Sequence, residues 1–190
     1  MYQNKREKTR KQIINAFMEL VSKYEIKEVT VKQIAELAGV SRGTFYQHYY
    51  DKYAIFDDQK KMIFQEIVAQ QNVFLEKKES SLRVDLLEGK FVSKILDIVK
   101  DNQDTVTFLF NHDDGFSSQA SDFFERINQK TLTKINPFVT TKRIEIIAAV
   151  IATVLIKFIE LYILYPDKYD KAFILKESRE LIRVNVLSIL

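Results

Sequence analysis

The chain contains no cysteine, and its 190 residues include only four glycines, two prolines and two histidines. The missing cysteines exclude disulfides, thiolate nucleophiles and cysteine-ligated zinc, and they fit a reducing cytoplasm. Two histidines, His48 and His112, are too few for a histidine-based metal site. The triplet His112-Asp113-Asp114 ahead of Gly115 is the one local hint of a metal or a general base, but adjacent residues in a turn point in different directions, so it reads as a solvated loop. The remaining acidic residues alternate with Lys and Arg at helix-surface spacing, which suits ion-paired faces better than paired acid and base catalysts. No metal, cofactor or enzymatic activity is expected. The N-terminus is polar and basic with no apolar run behind it, so no signal peptide is read there.

With so few glycines and prolines there is little to interrupt regular structure, and 46% of the residues are hydrophobic, enough to bury one or two small cores. Long segments show apolar residues at helical spacing, and no run alternates in the manner of a strand, so the fold class is all-α. Charge is distributed unevenly. Residues 1–60 hold 11 Lys and Arg against 8 Asp and Glu, whereas residues 61–190 hold 18 against 18, so the net +3 sits entirely in the first third. Lys5, Arg6, Lys8, Arg10 and Lys11 form a basic lead-in suited to contacts with phosphate groups.

That third also carries the most informative passage, Thr30 to His48. Thr30 and Gln33 have the spacing of a capping box, which predicts a helix starting at Val31. Val31, Ile34, Ala35 and Ala38 line one face of that helix, and Lys32, Gln33 and Glu36 the other. Gly39 supplies the left-handed conformation that ends a helix and turns the chain. Ser41 is a good N-cap for a second helix, with Phe45 as its inward anchor. The rest of that helix is polar or aromatic: Arg42, Gly43, Thr44, Tyr46, Gln47 and His48. Two short helices around a glycine turn form a helix-turn-helix, whose second helix enters the DNA major groove. Arg42 is the natural guanine reader, Gly43 allows close backbone approach, and Thr44, Tyr46, Gln47 and His48 offer tips for phosphates and base edges. Asp51 can cap a further helix. Lys52 then falls in its first turn, where a cation is unfavourable beside helix N–H groups, so an anionic partner such as a DNA phosphate is expected.

The pattern Thr-Val-x-x-Ile-Ala-x-x-Ala-Gly-Val-Ser-x-Gly-Thr-Phe-Tyr-x-His-Tyr, followed by Asp51-Lys52, resembles the TetR family of bacterial repressors. The resemblance covers the first quarter to third of the chain and departs from the common pattern at Tyr50 and at Tyr53-Ala54-Ile55. It implies DNA contacts at Lys32, Arg42, Gly43, Thr44, Tyr46, His48 and Lys52. It further implies a three-helix DNA-binding head (residues 1–50) and a larger helical-bundle domain (residues 51–190) for regulation and dimerisation. The protein so described is a homodimeric repressor on a palindromic double-stranded DNA operator, released by a small-molecule effector.

In the remainder, helices are expected at about Asn4 to Tyr24, from Asp51 onward, and at Leu82 to Lys100, Asp104 to Asn111, Ser117 to Ile135, Ile144 to Tyr165 and Lys171 to Ile189. The run Ile146 to Ile156 is apolar all round but only 11 residues long before Lys157, short of the ~20 needed to cross a bilayer, so no membrane span is read there. It fits a helix buried between its own core and a partner subunit, and Ile147, Ile151, Val154, Phe158 and Leu181 are the expected dimer contacts. Phe108, Phe110, Phe116, Phe123, Phe124, Phe158 and Tyr162 are the aromatic residues that could line a pocket for an apolar or aromatic effector, although such clusters are usually core. A rival reading keeps the fold but has the second domain dock another protein, as a coactivator or assembly factor.

Overall fold

The computed structural model describes residues 2–113 and 115–186, all in helices, turns and loops. Asp114 of the His112 triplet and the expected end of the last helix at Ile189 lie outside the described residues. Among the described residues ten α-helices follow one another: α1 (Tyr2–Val21), α2 (Val31–Leu37), α3 (Arg42–Tyr46), α4 (Tyr53–Leu75), α5 (Glu79–Leu87), α6 (Lys90–Asp101), α7 (Gln103–His112), α8 (Phe116–Ile135), α9 (Thr141–Leu164) and α10 (Lys171–Val186). They form two compact units, Met1–Lys61 and Met62–Leu190, and the division falls within α4.

The first unit is built around side chains with no exposed surface: Ile13 and Phe17 from α1, Ile34 from α2, Phe45 from α3 and Ile55 from α4. Phe56 packs edge-on against Phe17 with ring centroids 4.6 Å apart. The periphery is tied by a polar triad. Arg10 donates to Asp58 Oδ2 through Nε (2.9 Å) and a terminal nitrogen (2.6 Å), and the Tyr49 hydroxyl donates to the same oxygen at 2.6 Å. Burial, together with the bond to Asp58, pushes the Tyr49 hydroxyl well above its ordinary pKa, so it is a permanent donor. Arg10 is thereby engaged in holding α1 to α4 instead of standing free in the basic lead-in.

α1 stops at Val21, and Tyr24, expected inside it, is half exposed. The Ser22 hydroxyl donates to the Glu19 carbonyl at 2.8 Å, and the Lys23 N–H turns to Leu20, three residues back. A side chain competing for a backbone carbonyl ends the ladder there. The turn between α2 and α3 uses Gly39 at φ +67°, with no atom within 4 Å of where a Cβ would stand.

In the second unit α8 and α9 pack along their length. Ala148 and Ala152 have no exposed surface, and their small size lets the helices approach closely. From α4, Gln71 is buried among them; its amide donates to the Ile127 carbonyl (2.6 Å) and to Thr131 Oγ1 (3.1 Å). Asp85, buried on α5, accepts from Lys77 and Lys90, and these two bonds hold its carboxyl below the usual range. The single helix expected over Leu82 to Lys100 is two helices, because Gly89 takes φ +68° between α5 and α6. There a Cβ would also meet Arg179 Cγ at 3.3 Å, and Arg179 Nε donates to the Glu88 carbonyl at 2.8 Å. By length and composition alone the 24 residues of α9 could span a bilayer. One face, including Ile144, Ala148, Ala152, Leu155 and Ile159, is instead buried in this unit, and Lys157 pairs with Glu160 at 3.0 Å on the wet side.

Because nothing crowds Gly39, a substitution there carries only the backbone cost of a left-handed conformation. Gly39→Ala is expected to lower stability by about 1 kcal/mol, and Gly39→Asn by less, since Asn tolerates that conformation. Urea unfolding of the two variants measures this; equal losses would point to sterics instead.

Candidate nucleic-acid interface

The two caps predicted around α2 and α3 are both present. The Gln33 N–H donates to Thr30 Oγ1 at 3.2 Å, and the Thr30 N–H donates to Gln33 Oε1 at 2.8 Å, closing the capping box. Ser41 Oγ accepts from the Thr44 N–H at 2.9 Å and lies 2.8 Å from Thr44 Oγ1. α3 has only five residues, and the helical turn continues irregularly, with the N–H groups of both His48 and Tyr49 bonding to the Phe45 carbonyl at 2.9 Å.

With Phe45 and Tyr49 pointing inward, the other side chains of this segment face out. Ser41, Arg42, Gly43, Tyr46 and Gln47 are exposed, and Thr44 and His48 are half-buried. Arg42 has no ion-pair or hydrogen-bond partner among the described residues, which leaves its whole guanidinium fork available to a ligand. Lys32 is exposed on α2 with Glu36 at 3.9 Å, too long to commit it. A groove between the first turns of α1 and the α3 segment is lined by Lys5, Arg6, Thr9, Thr44, Gln47 and His48. Burial lowers the His48 pKa, and the positive charges of Arg6 and Arg10 lower it further, against a smaller opposing effect of Glu7. The two guanidiniums beside the imidazole, with Lys5 in the same lining, make this groove electropositive.

Lys52 is placed differently from the expectation of an anionic partner. Its ammonium donates to the carbonyls of Ile26 (2.5 Å), Val29 (2.6 Å) and Lys27 (3.3 Å) in the turn before α2, while Asp51 Oδ1 accepts from the Ala54 N–H at 2.9 Å to cap α4. Backbone carbonyls leave no trace in the side-chain sequence, so no residue pattern signals these partners. The Arg10, Tyr49 and Asp58 triad was equally unreadable, joining positions 48 residues apart.

In the second unit the aromatic side chains divide into packing groups. Phe123 is stacked on Phe64 (4.2 Å) and set edge-on to Phe124 (5.2 Å); Phe110 packs edge-on to Phe116, and Phe108 stacks on His112. Tyr162 is buried, with the Lys100 ammonium 6.0 Å from its ring centre. Phe158 alone of the seven lines a separate apolar cleft bounded by Phe91, Ile95, Leu132, Ile182 and their neighbours, with a cavity volume of ≈ 50 Å³. Ile151, Val154 and Leu181 share that cleft, so four of the five residues expected at a dimer interface are together. Ile147, the fifth, is half-buried on α9.

The comparisons with known proteins agree with this geometry. Residues 13–58 match the family model described as bacterial regulatory proteins, tetR family. An uncharacterised HTH-type transcriptional regulator of Bacillus subtilis is 43% identical over 47 residues, which is 25% of this chain and 12% of that regulator's length. Three solved structures share the fold over nearly the whole chain. A TetR-family transcriptional regulator from Syntrophomonas wolfei superposes with a TM-score of 0.72 at 14% identity, covering 95% of this chain and 96% of that one. NalD of Pseudomonas aeruginosa, the secondary repressor of a multidrug efflux pump, gives 0.67 at 16% identity over 95% of each chain. FadR of Thermus thermophilus, a transcriptional repressor solved with lauroyl-CoA, gives 0.61 at 18% identity, again over 95% of each. The match to the tetR family model thus spans the capped α2–α3 segment, and the helical fold of the TetR-family structures is shared over nearly the whole chain.

Proposed function

We propose that the protein is a cytoplasmic, homodimeric repressor that sets two copies of the α3 segment into successive major grooves of a palindromic operator, ~34 Å apart, and leaves the DNA when a small apolar or aromatic effector binds the second unit. The observation that carries the reading is the exposed Arg42, Gly43, Tyr46 and Gln47 on a helix anchored only by Phe45 and capped by Ser41. In this assignment Arg42 reads a base edge. Ser41, Gly43, Thr44, Tyr46, Gln47 and His48 supply phosphate and base contacts, Lys32 meets the backbone from α2, and Arg6 and Lys5 extend the phosphate track along the α1 groove. Dimerisation is assigned to α9 and α10. Val150 and Leu181 are 44% and 40% exposed apolar side chains beside the half-buried Ile147, Ile151, Val154 and Phe158, a combination suited to a twofold partner. For the effector the support is the apolar cleft at Phe158. Its volume of ≈ 50 Å³ is far below the roughly 300 Å³ of an ordinary ligand site, so binding there requires the helices to part. An effector that opens this cleft would act by preferring a dimer whose heads no longer match the groove spacing.

Selection from a randomised duplex library tests DNA binding directly, and Arg42→Ala then tests the assignment of roles. It is expected to weaken the selected duplex by about 10- to 100-fold, the loss of one bidentate base contact, while binding to unselected DNA changes little. Equal losses on both duplexes would instead make Arg42 a phosphate contact.

His48 yields a second expectation. A phosphate arriving in the groove raises its pKa from the depressed value of the free protein, so binding takes up a proton. Affinity should rise as pH falls through the range between the free and bound values, by at most about tenfold per unit, and His48→Gln should flatten the profile. Fluorescence-anisotropy titrations across that range measure it.

Val150→Glu combined with Leu181→Glu should convert the dimer to a monomer in sedimentation velocity and weaken operator binding, because the second head is no longer held on the same duplex. A wild-type chain that sediments as a monomer would count against the dimer assignment.

A further inference from the structure

We propose that Lys52 is a positioning residue of the DNA-reading head, its ammonium fastening the turn before α2 to the start of α4, and that it is not itself a phosphate contact. The inference rests on the DNA-binding reading and assigns one residue a different part in it. An ammonium has three N–H donors. Three carbonyl oxygens, those of Ile26, Lys27 and Val29, lie within 2.5, 3.3 and 2.6 Å of Lys52 Nζ, so every donor has an acceptor inside the protein. A phosphate oxygen could gain an N–H only by displacing one of these.

The carbonyl side of the contact supports the same assignment. Three carbonyl dipoles from one short turn point their oxygens at a single spot, an arrangement that repels itself unless a cation fills it. That turn ends at Thr30, the N-cap of α2, and its Val29 side chain is buried in the head core. Fixing the turn therefore fixes where α2 begins, and through the Gly39 corner where α3 points. At the other end, Lys52 immediately precedes α4, where the helix dipole disfavours a cation; the converged carbonyls offset that cost. The Nζ also stands 5.4 Å from the ring centre of Tyr53, the first residue of α4.

The roles separate experimentally through Arg. No nitrogen of a planar guanidinium carries three N–H groups, so Arg cannot send three donors from one point to three carbonyls, yet it binds phosphate at least as well as Lys does. The probes are the duplex that the wild-type protein enriches from a randomised library and a duplex of unselected sequence. For both Lys52→Arg and Lys52→Ala, the ratio of affinities for selected over unselected DNA is expected to fall about tenfold or more. The slope of log K against log salt on unselected DNA should stay at its wild-type value. Wild-type affinity for the selected duplex in Lys52→Arg would overturn the proposal, as would a slope reduced by about 0.9 in Lys52→Ala, the signature of one lost phosphate contact. Circular dichroism at the binding temperature establishes that each variant is folded. If Lys52→Ala is not, Lys52→Arg decides on the same two readouts, and an unfolded Lys52→Arg supports the fastening role, since a phosphate contact carries no folding load. Failure of the wild-type protein to enrich any duplex would refute the DNA-binding reading itself and is distinct from all of these outcomes.

Discussion

A helix of five residues cannot hold itself together in water. Nucleating a helical turn is unfavourable, and α3 is too short to recover that cost by propagation. Its shape is imposed from outside by two contacts: the Ser41 cap on the Thr44 N–H and the complete burial of Phe45. Burial of a phenylalanine contributes roughly 2–3 kcal/mol and an N-cap about 1, which together account for a single well-placed turn. The remainder of the first unit serves this anchorage. Ile13, Phe17, Ile34 and Ile55 are fully buried in the same unit as Phe45, the Tyr49 ring lies against Phe45, and the Arg10, Asp58 and Tyr49 triad ties α1 to α4.

What could be read from residues alone follows the range of the interaction. The capping box, the glycine turn and the Ser41 cap each depend on residues within four positions of one another, and all three were legible in spacing. Reach beyond that was not. Arg10 looked like one more basic residue of the lead-in because its partner, Asp58, is brought near only by folding. Lys52 looked unpaired because its acceptors are carbonyls, which every residue has. Tyr24 was read into α1 because its apolar spacing is correct, yet the Ser22 hydroxyl, three residues from Glu19, had already taken the carbonyl that the helix needed.

The second unit shows the same limit at the level of helices. Leu82 to Lys100 has helical periodicity throughout, and Gly89 in its middle could have been tolerated or used as a corner. The choice is made by tertiary contact, with Arg179 of α10 lying against Gly89 and bonding the Glu88 carbonyl. The aromatic residues likewise cluster in sequence around α7 and α8, but in three dimensions they fill one another's contacts. The open apolar surface lies instead where α9 and α10 run beside α6 and α8. Mostly aliphatic side chains line that surface beside Phe91 and Phe158, and nothing in composition separates an aliphatic residue at a cleft from one in a core.

Since Phe45 and Ser41 anchor α3, the exposed side chains of Arg42, Tyr46 and Gln47 carry little weight in the fold, Tyr46 through its edge-on contact with Phe45 alone. Substitutions at these three positions can be sampled nearly neutrally for stability, so this surface is free to change what it contacts without first acquiring compensating changes elsewhere. Positions such as Gly89, closed by backbone conformation and by Arg179 alike, lack that freedom. The parts of this chain that are free to diverge are thus the parts that face outward from a five-residue helix.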